Sequence, residues 1–494
     1  MNRSRQAEVV IVGGGPVGML TAAELGGYGV RTVVLETADA TADVPKAGTL
    51  HARTVQSLTR RGYLRYDRAP LPQAEQMAPF HFAGVPGLAI TAPGAEPQSI
   101  LKRAQADLER DFEAHARRRG VTVLRGHRVV GVQPAADGVQ VTAEGPDGVQ
   151  RFGADYLVGA DGARSMVREQ AGIGADTVLP TVSAMMGVVR LARPGRLPPG
   201  WWRTATGWLV VRHQADGYCR LLTLDPTGAP TDRAVPPTLE ELADVVERII
   251  GHDVAMADPQ HLSRFSDFTR LAHSFRQGRV LLAGDAAHVH FPVGGQGLST
   301  GLLDALNLSW KLAHTVHGTA GKDLLDSYDT ERRPAAQRVV DNTRAQLALM
   351  RPDPALDPLR RLFAEMTGLA QGNRHLGDLI SAQETVYPAR TAASSCWEGQ
   401  FLTNRPLQAR SGPTDVVELL ADGRPLLLLG PSQDRHEQTA RGWAHVLNVV
   451  MVSADQEPPY DAVLVRPDGY VAWAQDDTDL GGVLRDWFGE PHPG

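Results

Sequence analysis

The chain has 494 residues, of which 42% are hydrophobic and 21% are charged, and its formal net charge is -6 at pH 7. This length exceeds what one hydrophobic core usually serves, so we expect two or three domains. The acidic balance, with both charge signs interspersed, excludes the basic surface that a nucleic-acid partner requires.

Targeting, membrane and thiol signals are absent from the sequence pattern. Residues 1–8 lead straight into an apolar strand without the layout of a signal peptide. No apolar run approaches the roughly 20 residues that span a bilayer. The cysteines, Cys219 and Cys396, argue against a disulfide framework and a thiolate metal site. We therefore expect a cytoplasmic monomer or homodimer with no metal, membrane or nucleic-acid partner.

The first predicted unit is a strand, a glycine-rich turn, a helix and a second strand. Residues 8–12 have the pattern of a short buried strand, with Val9 to Val12 apolar, and Gly13, Gly15 and Gly18 follow in a GxGxxG pattern. Gly13 permits the tight turn, Gly15 lets a pyrophosphate approach the backbone, and Gly18 allows close helix packing. The second strand ends on Glu36, where a ribose-binding acid is expected. This unit predicts an adenine dinucleotide site.

A polar segment with two cations, Lys46 and Arg53, comes next and runs into a helix that ends near Leu58. Such charges could steer a phosphate or a substrate oxyanion, but loop charges are usually just solvated. For these two residues taken alone, the solvated interpretation is favoured.

The middle of the chain contains a predicted helix, a predicted β-meander and a second turn between a strand and a helix. A helix is predicted for residues 105–119 and a β-meander for 129–152, with turns at Asp137-Gly138 and Asp147-Gly148. A further strand then runs into a corner at Asp161-Gly162. Asp161 could cap the following helix or contact a cofactor, and the residues leave both possibilities open.

Residues 176–268 are richer in β-type runs, which predict an antiparallel sheet crossed by a helix at 238–250. Several aromatic and sulfur-containing side chains could line a flat apolar pocket or simply form core: Trp201, Trp202, Trp208, Met185 and Met186.

A second strand, turn and helix unit follows: an apolar run at 280–283, Gly284-Asp285, the turn from Pro292 to Gly297 and a helix that starts near Leu302. Free backbone N–H groups and the helix dipole suit an anion or an electron-rich group there. Asp285 could accept hydrogen bonds from hydroxyls. A plain structural corner is an equally good interpretation of these residues alone.

The remainder predicts a long helical region from 328 to about 379 and a small α/β domain from 389 to the end. Its strands are predicted at 424–430, 444–452 and 461–465, and Arg466 begins a turn that joins two strands.

Taken together, the three corners resemble those of class A FAD-dependent aromatic monooxygenases. The resemblance rests on the glycines with Glu36, on Asp161-Gly162, and on Gly284-Asp285 through Gly297, and it extends to residues 328–334 and 465–473. It covers nearly the whole chain. The chain is most similar to the polyketide-tailoring and rifampicin monooxygenase-like branch of the phenol hydroxylase family.

The resemblance implies an α/β fold in three domains. A Rossmann-type FAD-binding domain, as in p-hydroxybenzoate hydroxylase, would comprise residues 1–73, 99–175 and 269–388. A middle antiparallel-sheet substrate domain would comprise 74–98 and 176–268, and a thioredoxin-like domain would comprise 389–494. Because Cys396 has no CxxC partner, a dithiol redox role is not expected for the last domain.

The resemblance also assigns residues to the two halves of FAD. Its ADP half and pyrophosphate would contact Gly13, Gly15, Gly18, Glu36, Gln105, Val129 and Asp161. Its ribityl chain and ring would contact Asp285, Pro292, Gly295, Gln296, Gly297 and Leu298. Lys46 stands where an arginine is usual and Thr49 where a glycine is frequent, so a stacked guanidinium is lost. Arg53 matches the family and is expected to supply a catalytic cation near the flavin or the substrate.

The implied reaction uses NADPH or NADH as a transient electron donor and O₂ as the oxygen source. One oxygen atom enters a polycyclic aromatic, polyketide-type substrate in secondary-metabolite tailoring, by hydroxylation. Baeyer–Villiger insertion beside a ketone is the alternative on the same scaffold, and a non-catalytic FAD-binding module is the second. A flavin-dependent halogenase is disfavoured because the Trp-x-Trp-x-Ile-Pro segment is absent.

Overall fold

The computed structural model describes residues 7–44, 46–66, 74–226, 235–391, 394–453, 461–475 and 479–492. Expectations that fall on residues 1–6 and 67–73 lie outside these ranges. Each helix in the described part is too short or too polar to cross a bilayer. The domain limits given above stay predictions.

The strands of the first half, in chain order, are β1 (Val9–Val12), β2 (Thr32–Leu35), β3 (Thr49–His51), β4 (Gln76–Phe82), β5 (Val85–Ala92), β6 (Ile100–Lys102), β7 (Thr122–Leu124), β8 (Arg128–Pro134), β9 (Val139–Gly145), β10 (Gly148–Ala154), β11 (Tyr156–Gly159), β12 (Ala175–Val178), β13 (Ser183–Leu191), β14 (Gly200–Arg203), β15 (Trp208–His213) and β16 (Cys219–Asp225). The later strands are β17 (Met256–Ser266), β18 (Thr269–Ala272), β19 (Arg276–Gln277), β20 (Val280–Leu282), β21 (His288–Val289), β22 (Pro406–Ala409), β23 (Gly412–Asp415), β24 (Leu426–Leu429), β25 (Asn448–Met451), β26 (Ala462–Val465) and β27 (Val471–Ala474).

The helices are α1 (Pro16–Gly27), α2 (Ala52–Arg60), α3 (Gln105–Arg118), α4 (Met166–Gln170), α5 (Leu239–Ile250), α6 (Gly297–Val316), α7 (Ser327–Met350), α8 (Asp357–Thr367), α9 (Ala370–Ser381), α10 (Val416–Leu420), α11 (Asp434–Ala440) and α12 (Leu480–Phe488).

A six-stranded sheet in the order β19-β20-β11-β1-β2-β7 forms the main core. All neighbours pair in parallel except β19 and β20. Every residue of β1, β2 and β20 is buried, as expected for a parallel sheet covered on both faces. Helix α1 packs against α3 and α6, and the predicted meander of β8, β9 and β10 packs beside β1.

The predicted antiparallel sheet of the middle region is confirmed, with the order β14-β15-β16-β13-β17. Helix α5 covers one face so closely that a Cβ on Gly187 would lie 2.3 Å from Leu242. The hairpin of β4 and β5 lies on the other face, where Gly84 contacts Trp201 and Trp208. Strand β17 was not predicted individually, since its residues, MADPQHLSRFS, show no clean alternation and include a proline.

Two helical predictions change in detail. Helix α6 begins at Gly297 rather than near Leu302, and Gly301 within it lets the helix pack on Val17, 2.7 Å from an added Cβ. The long helical region is three helices, α7, α8 and α9, and Pro334 lies inside α7 near its start.

The carboxyl-terminal sheet has the order β25-β24-β26-β27. Strands β24 and β25 are parallel and connected through α11, whereas β26 and β27 form the predicted antiparallel hairpin. This βαβ unit followed by a hairpin and α12 is the arrangement of a thioredoxin-like domain. The strand predicted at 444–452 is shorter, because residues 444–446 form a turn and the strand begins at Asn448.

A buried ion network joins this last domain to α6 and α7. Glu331 of α7 accepts hydrogen bonds from Arg466 at 2.7 Å and from Lys311 of α6 at 2.7 Å. Asp468 also pairs with Arg466, and Asn307 donates to both Glu331 and Asp468. All five side chains are buried. The two segments that extended the family resemblance, 328–334 and 465–473, therefore meet in one network.

Candidate active site

Four parallel strands of the six-stranded sheet end at one edge, and each is followed by a polar or glycine-rich corner. Strand β1 leads to Gly13, β2 to Glu36, β11 to Asp161 and β20 to Asp285. Ligands of open α/β sheets bind outside the carboxyl ends of the strands, where such corners meet. This edge is therefore the candidate site.

Gly13 and Gly18 have the tight-turn and close-packing roles expected of them, whereas the approach of a pyrophosphate to Gly15 stays a prediction. Gly13 adopts a φ of +105°, and a Cβ there would lie 2.3 Å from the carbonyl oxygen of Ala160. A Cβ on Gly18 would lie 2.0 Å from the Gly13 oxygen, so the helix and the turn touch. A Cβ on Gly15 would meet nothing within 4 Å, because it points into open space at the start of α1.

A cavity of about 260 Å³ opens above this corner. It brings together five of the expected residues, namely Gly13, Gly15, Glu36, Val129 and Asp161. The Glu36 carboxylate accepts hydrogen bonds from the amides of Gly14 at 2.5 Å and Ala38 at 2.7 Å, which fix its orientation. His127 also lines the cavity, and no motif in the sequence singled it out.

Asp161 has the first of the two roles that its sequence left open, and contact with a cofactor stays a prediction. Its carboxylate accepts hydrogen bonds from Ser165 Oγ at 2.5 Å and from the Val167 amide at 3.1 Å, so it caps the start of α4. It also borders the cavity. Burial raises the pKa of this carboxyl, although the hydrogen bonds from Ser165 and Val167 partly offset the rise.

Asp285 lies on the 3₁₀ turn Gly284–Ala286, after β20 at the same edge of the sheet as the other corners. Its side chain remains accessible to solvent, and no described residue forms a hydrogen bond with its carboxylate. Protein atoms around it displace water and raise its pKa, while the charges of His288 and Lys46 act in the opposite direction. Lys46 therefore lies on the same side of the cleft as Asp285.

A buried polar cluster that the sequence did not predict holds the Asp285 turn in place. Asp304 of α6 accepts hydrogen bonds from the Gly284 amide at 3.1 Å, His288 Nε2 at 2.7 Å and Arg332 Nε at 2.8 Å. Burial alone would raise the pKa of Asp304, but Arg332 and His288 outweigh it and lower that pKa. The sequence feature that could have identified this cluster was Asp304, an acidic residue inside a largely apolar predicted helix.

The turn before α6 contains two glycines in the left-handed region. Gly294 and Gly295 adopt φ values of +75° and +66°, which favour glycine, and the Gly294 carbonyl contacts His51 Nε2 at 2.8 Å. Gln296 is buried and its side-chain oxygen accepts from Asn342 at 3.1 Å. Pro292 is exposed, Leu298 is buried, and Gly297 lies beside His290.

Arg53 is buried among side-chain and backbone partners, and its catalytic role stays a prediction. Its guanidinium stacks on the Phe401 ring at 3.6 Å and donates to Gln56 at 2.8 Å and to the Gln383 carbonyl at 3.0 Å. The residue is 6% exposed. These contacts join α2 to the Gln383 backbone and to Phe401 of the carboxyl-terminal domain.

Gln105 lies at the first position of α3, and its amide donates to the Ala47 carbonyl at 3.1 Å. This hydrogen bond joins the start of α3 to the loop that contains Lys46. The exposed Lys46 is joined to the middle sheet as well, since its carbonyl accepts from Arg220 at 3.2 Å.

The register of the middle sheet places the five candidate pocket residues on two different faces of the sheet. Met186 and Trp208 lie on the face toward Phe291, and Trp201 is paired opposite Val210 on that face. Met185 instead packs in the core with α5, and Trp202 packs against that core. A cavity of about 490 Å³ adjoins the first face, bordered by Leu224, Phe291 and residues of α7.

Comparisons with known proteins agree with this architecture. A family model of the FAD binding domain matches residues 6–343, and a model of the aromatic-ring hydroxylase carboxyl-terminal domain matches residues 395–491. The 12-dehydrotetracycline 5-monooxygenase/anhydrotetracycline 6-monooxygenase of Streptomyces rimosus is 36% identical across 98% of this chain and 99% of its own. Dialkyldecalin synthase of Streptomyces rugosporus is 38% identical across 97% of this chain and 98% of its own.

A solved structure of BexE, described in connection with oxidation during BE-7585A biosynthesis, is also similar. It has a TM-score of 0.90 and 38% sequence identity, and the match covers 99% of this chain and 100% of that one. The family models together match most of the chain, and the relatives match almost all of it. The chain therefore belongs to the family of FAD-binding aromatic-ring hydroxylases, and it is an FAD-dependent monooxygenase that takes its electrons from NAD(P)H.

Proposed function

We propose that this monooxygenase hydroxylates a ring of a polycyclic aromatic polyketide. The observation that carries the proposal is the position of the middle sheet, whose aromatic and apolar face lies against the Pro292 to Leu298 turn. Phe265 of this face lies 5.8 Å from Phe291, ring centre to ring centre. A broad, flat apolar wall of this kind suits a fused ring system.

The residues at the strand ends fit FAD. The open space at Gly15, the fixed carboxylate of Glu36 and the cavity between them suit an ADP group. The Asp285 carboxylate is available to ribityl hydroxyls. We propose that the ADP half contacts Gly13, Gly15, Gly18, Glu36, Gln105, Val129 and Asp161, and that the rest contacts Lys46, Asp285, Pro292, Gly295, Gln296, Gly297 and Leu298.

The protein orients the reactants, stabilises charge and excludes water from the reaction. When bound, FAD accepts electrons from NAD(P)H and activates O₂, which is chemistry that side chains do not supply. Backbone N–H groups near the start of α6, with its dipole, stabilise negative charge beside the turn. Burial lowers the pKa of His51 and of His290 to about 4, so both rings beside this turn are neutral near pH 7.

The test is to supply purified, FAD-loaded protein with NADPH, O₂ and candidate aromatic polyketides. Hydroxylation predicts substrate-stimulated NADPH oxidation and a product heavier by one oxygen atom with its rings intact. A ring-opened lactone of the same mass would instead establish Baeyer–Villiger insertion. If no candidate stimulates NADPH oxidation and none is oxygenated, the proposed function is wrong.

A second candidate follows from the similarity to dialkyldecalin synthase, whose name describes formation of a decalin ring rather than oxygenation. On this alternative, the same apolar wall would hold a polyene in a folded conformation for cyclisation. The two are separated by omitting NADPH and O₂. Cyclisation would give a product of unchanged mass under those conditions, whereas hydroxylation would stop.

A further inference from the structure

The face of the middle sheet opposite α5 carries charged side chains at one end of its strands and apolar side chains at the other. Directly paired residues of an antiparallel sheet point to the same face, so the register defines rows across it. One row consists of Arg212 on β15, Arg220 on β16, Val188 on β13 and His261 on β17. We call these four residues the cationic row.

The next two rows on this face are apolar or aromatic. The first contains Val210, Leu222, Met186 and Ser263, and the second contains Trp208, Leu224, Ala184 and Phe265. The second row approaches Phe291. A molecule lying along the strands would therefore meet a ring-binding surface at one end and positive charge at the other.

Elements that face the sheet add further cations to the same end. Lys46 is joined to Arg220 through its carbonyl, and Lys102 donates to Thr49 at 2.7 Å. Burial lowers the pKa of Lys102, and the charge of Arg212 lowers it further. Burial, followed by the charges of Arg212 and Lys102, lowers the pKa of His81 to about 4. Lys102 and His81 are therefore close enough to Arg212 for its charge to act on both.

Other arginines in and around this sheet have acidic partners. Arg264 pairs with Glu241 at 2.6 Å, and Arg248 pairs with Asp225 at 3.0 Å. Within the described ranges, neither Arg212 nor Lys102 has a carboxylate within ion-pair distance. Arg212 and Arg220 are directly opposite each other in the sheet, which holds two guanidinium groups side by side on this face.

We infer that the aromatic substrate binds as an anion, with an ionised phenol, enol or carboxylate held by Arg212, Arg220 and Lys102 and its rings on the two apolar rows. This inference rests on the proposed function for the identity of the ligand. An acidic oxygen on a polycyclic ring is the chemistry that paired guanidinium groups recognise. The phosphates of NADPH are the other source of negative charge.

The experiment measures binding to the FAD-loaded protein by calorimetry, with a hydroxyanthraquinone carboxylate and its methyl ester as probes. The wild type is expected to prefer the carboxylate. Arg212→Gln should weaken carboxylate binding about tenfold, leave the ester unchanged and leave NADPH binding unchanged. Arg212→Lys should restore part of the preference. Arg248→Gln, which removes the same charge on the α5 side of the sheet, is the matched control and should alter neither probe.

Three results would overturn the inference. The ester could bind the wild type as tightly as the carboxylate, or Arg212→Gln could weaken both probes equally. Weaker NADPH binding in Arg212→Gln, with unchanged carboxylate binding, would assign the cationic row to the electron donor. The outcome is independent of turnover: a carboxylate preference in a protein that oxygenates no polyketide would retain the anion site and reject the proposed function.

Discussion

Replacement of Glu331 by glutamine tests how the carboxyl-terminal domain is held to the cofactor-binding part. The change preserves the shape of the side chain but removes one negative charge from the buried network. Lys311 and Arg466 would then be balanced by Asp468 alone. Their hydrogen bonds to Glu331, at 2.7 Å each, would lose the charged acceptor.

The expected loss of stability is about 3–5 kcal/mol, the usual cost of breaking a buried pair from one side. The pKa of Glu331 gives a similar figure. Burial alone would raise it, but Arg466 and Lys311 outweigh this and lower it from 4.5 to about 2. That shift corresponds to about 3 kcal/mol. If the chain unfolds as a unit, Tm should fall by roughly 4 °C.

Thermal unfolding followed by circular dichroism and by flavin fluorescence measures both domains in one scan. Glu384→Gln is the matched control, because Glu384 pairs with Arg338, whose side chain is 55% exposed, and such surface pairs contribute under about 1 kcal/mol. An unchanged Tm and unchanged flavin release in Glu331→Gln would refute the view that this network fixes the domain.

Three further predictions concern the cofactor site and its surroundings. Asp285→Ala should lose FAD on purification while its Tm without FAD stays within a degree of wild type, and stoichiometric FAD in the purified variant would contradict the assignment. Gly15→Ala should fold normally but bind FAD weakly, because its methyl group fills open space. Gly13→Ala should also lower Tm, because its added methyl group would lie 2.3 Å from Ala160. Equal Tm and equal FAD binding in the two variants would contradict the proposed roles of these glycines. His51 and His290 have pKa values of about 4 when folded, below the 6.5 of an unperturbed histidine in the unfolded chain. The histidine contribution to stability should therefore be complete above pH 6.5 and fall by about 1.4 kcal/mol per pH unit for each histidine as pH drops toward 4. Denaturant titrations of wild type and His290→Asn across this range check the slope, which should be shallower in the variant.

Local signals in the sequence predicted the parts of the site that local backbone geometry determines. Gly13, Gly15 and Glu36 belong to one strand, turn, helix and strand unit, and the structure places all three at one cavity. The partners of Arg53, Gln383 and Phe401, could not be inferred from its sequence neighbours, because both are far away in the chain.

The cationic row was not predicted for a different physical reason. Arg212, Arg220 and His261 come from three strands, and a shift of one residue in any strand would turn its side chain to the opposite face. The same argument explains why five aromatic and sulfur residues could not be divided between pocket and core from the sequence. Register is a property of strand pairing, and here it decides which charges meet.

The network around Glu331 also sets an order for biosynthesis. Arg466 follows Glu331 by 135 residues, so it leaves the ribosome on the order of ten seconds later. Until then, α6 carries Lys311 and Asn307 without their full set of partners, and its first turn supports the glycines beside the proposed flavin ring. We therefore expect FAD to be taken up as a late, largely post-translational step, completed once the final hairpin has docked.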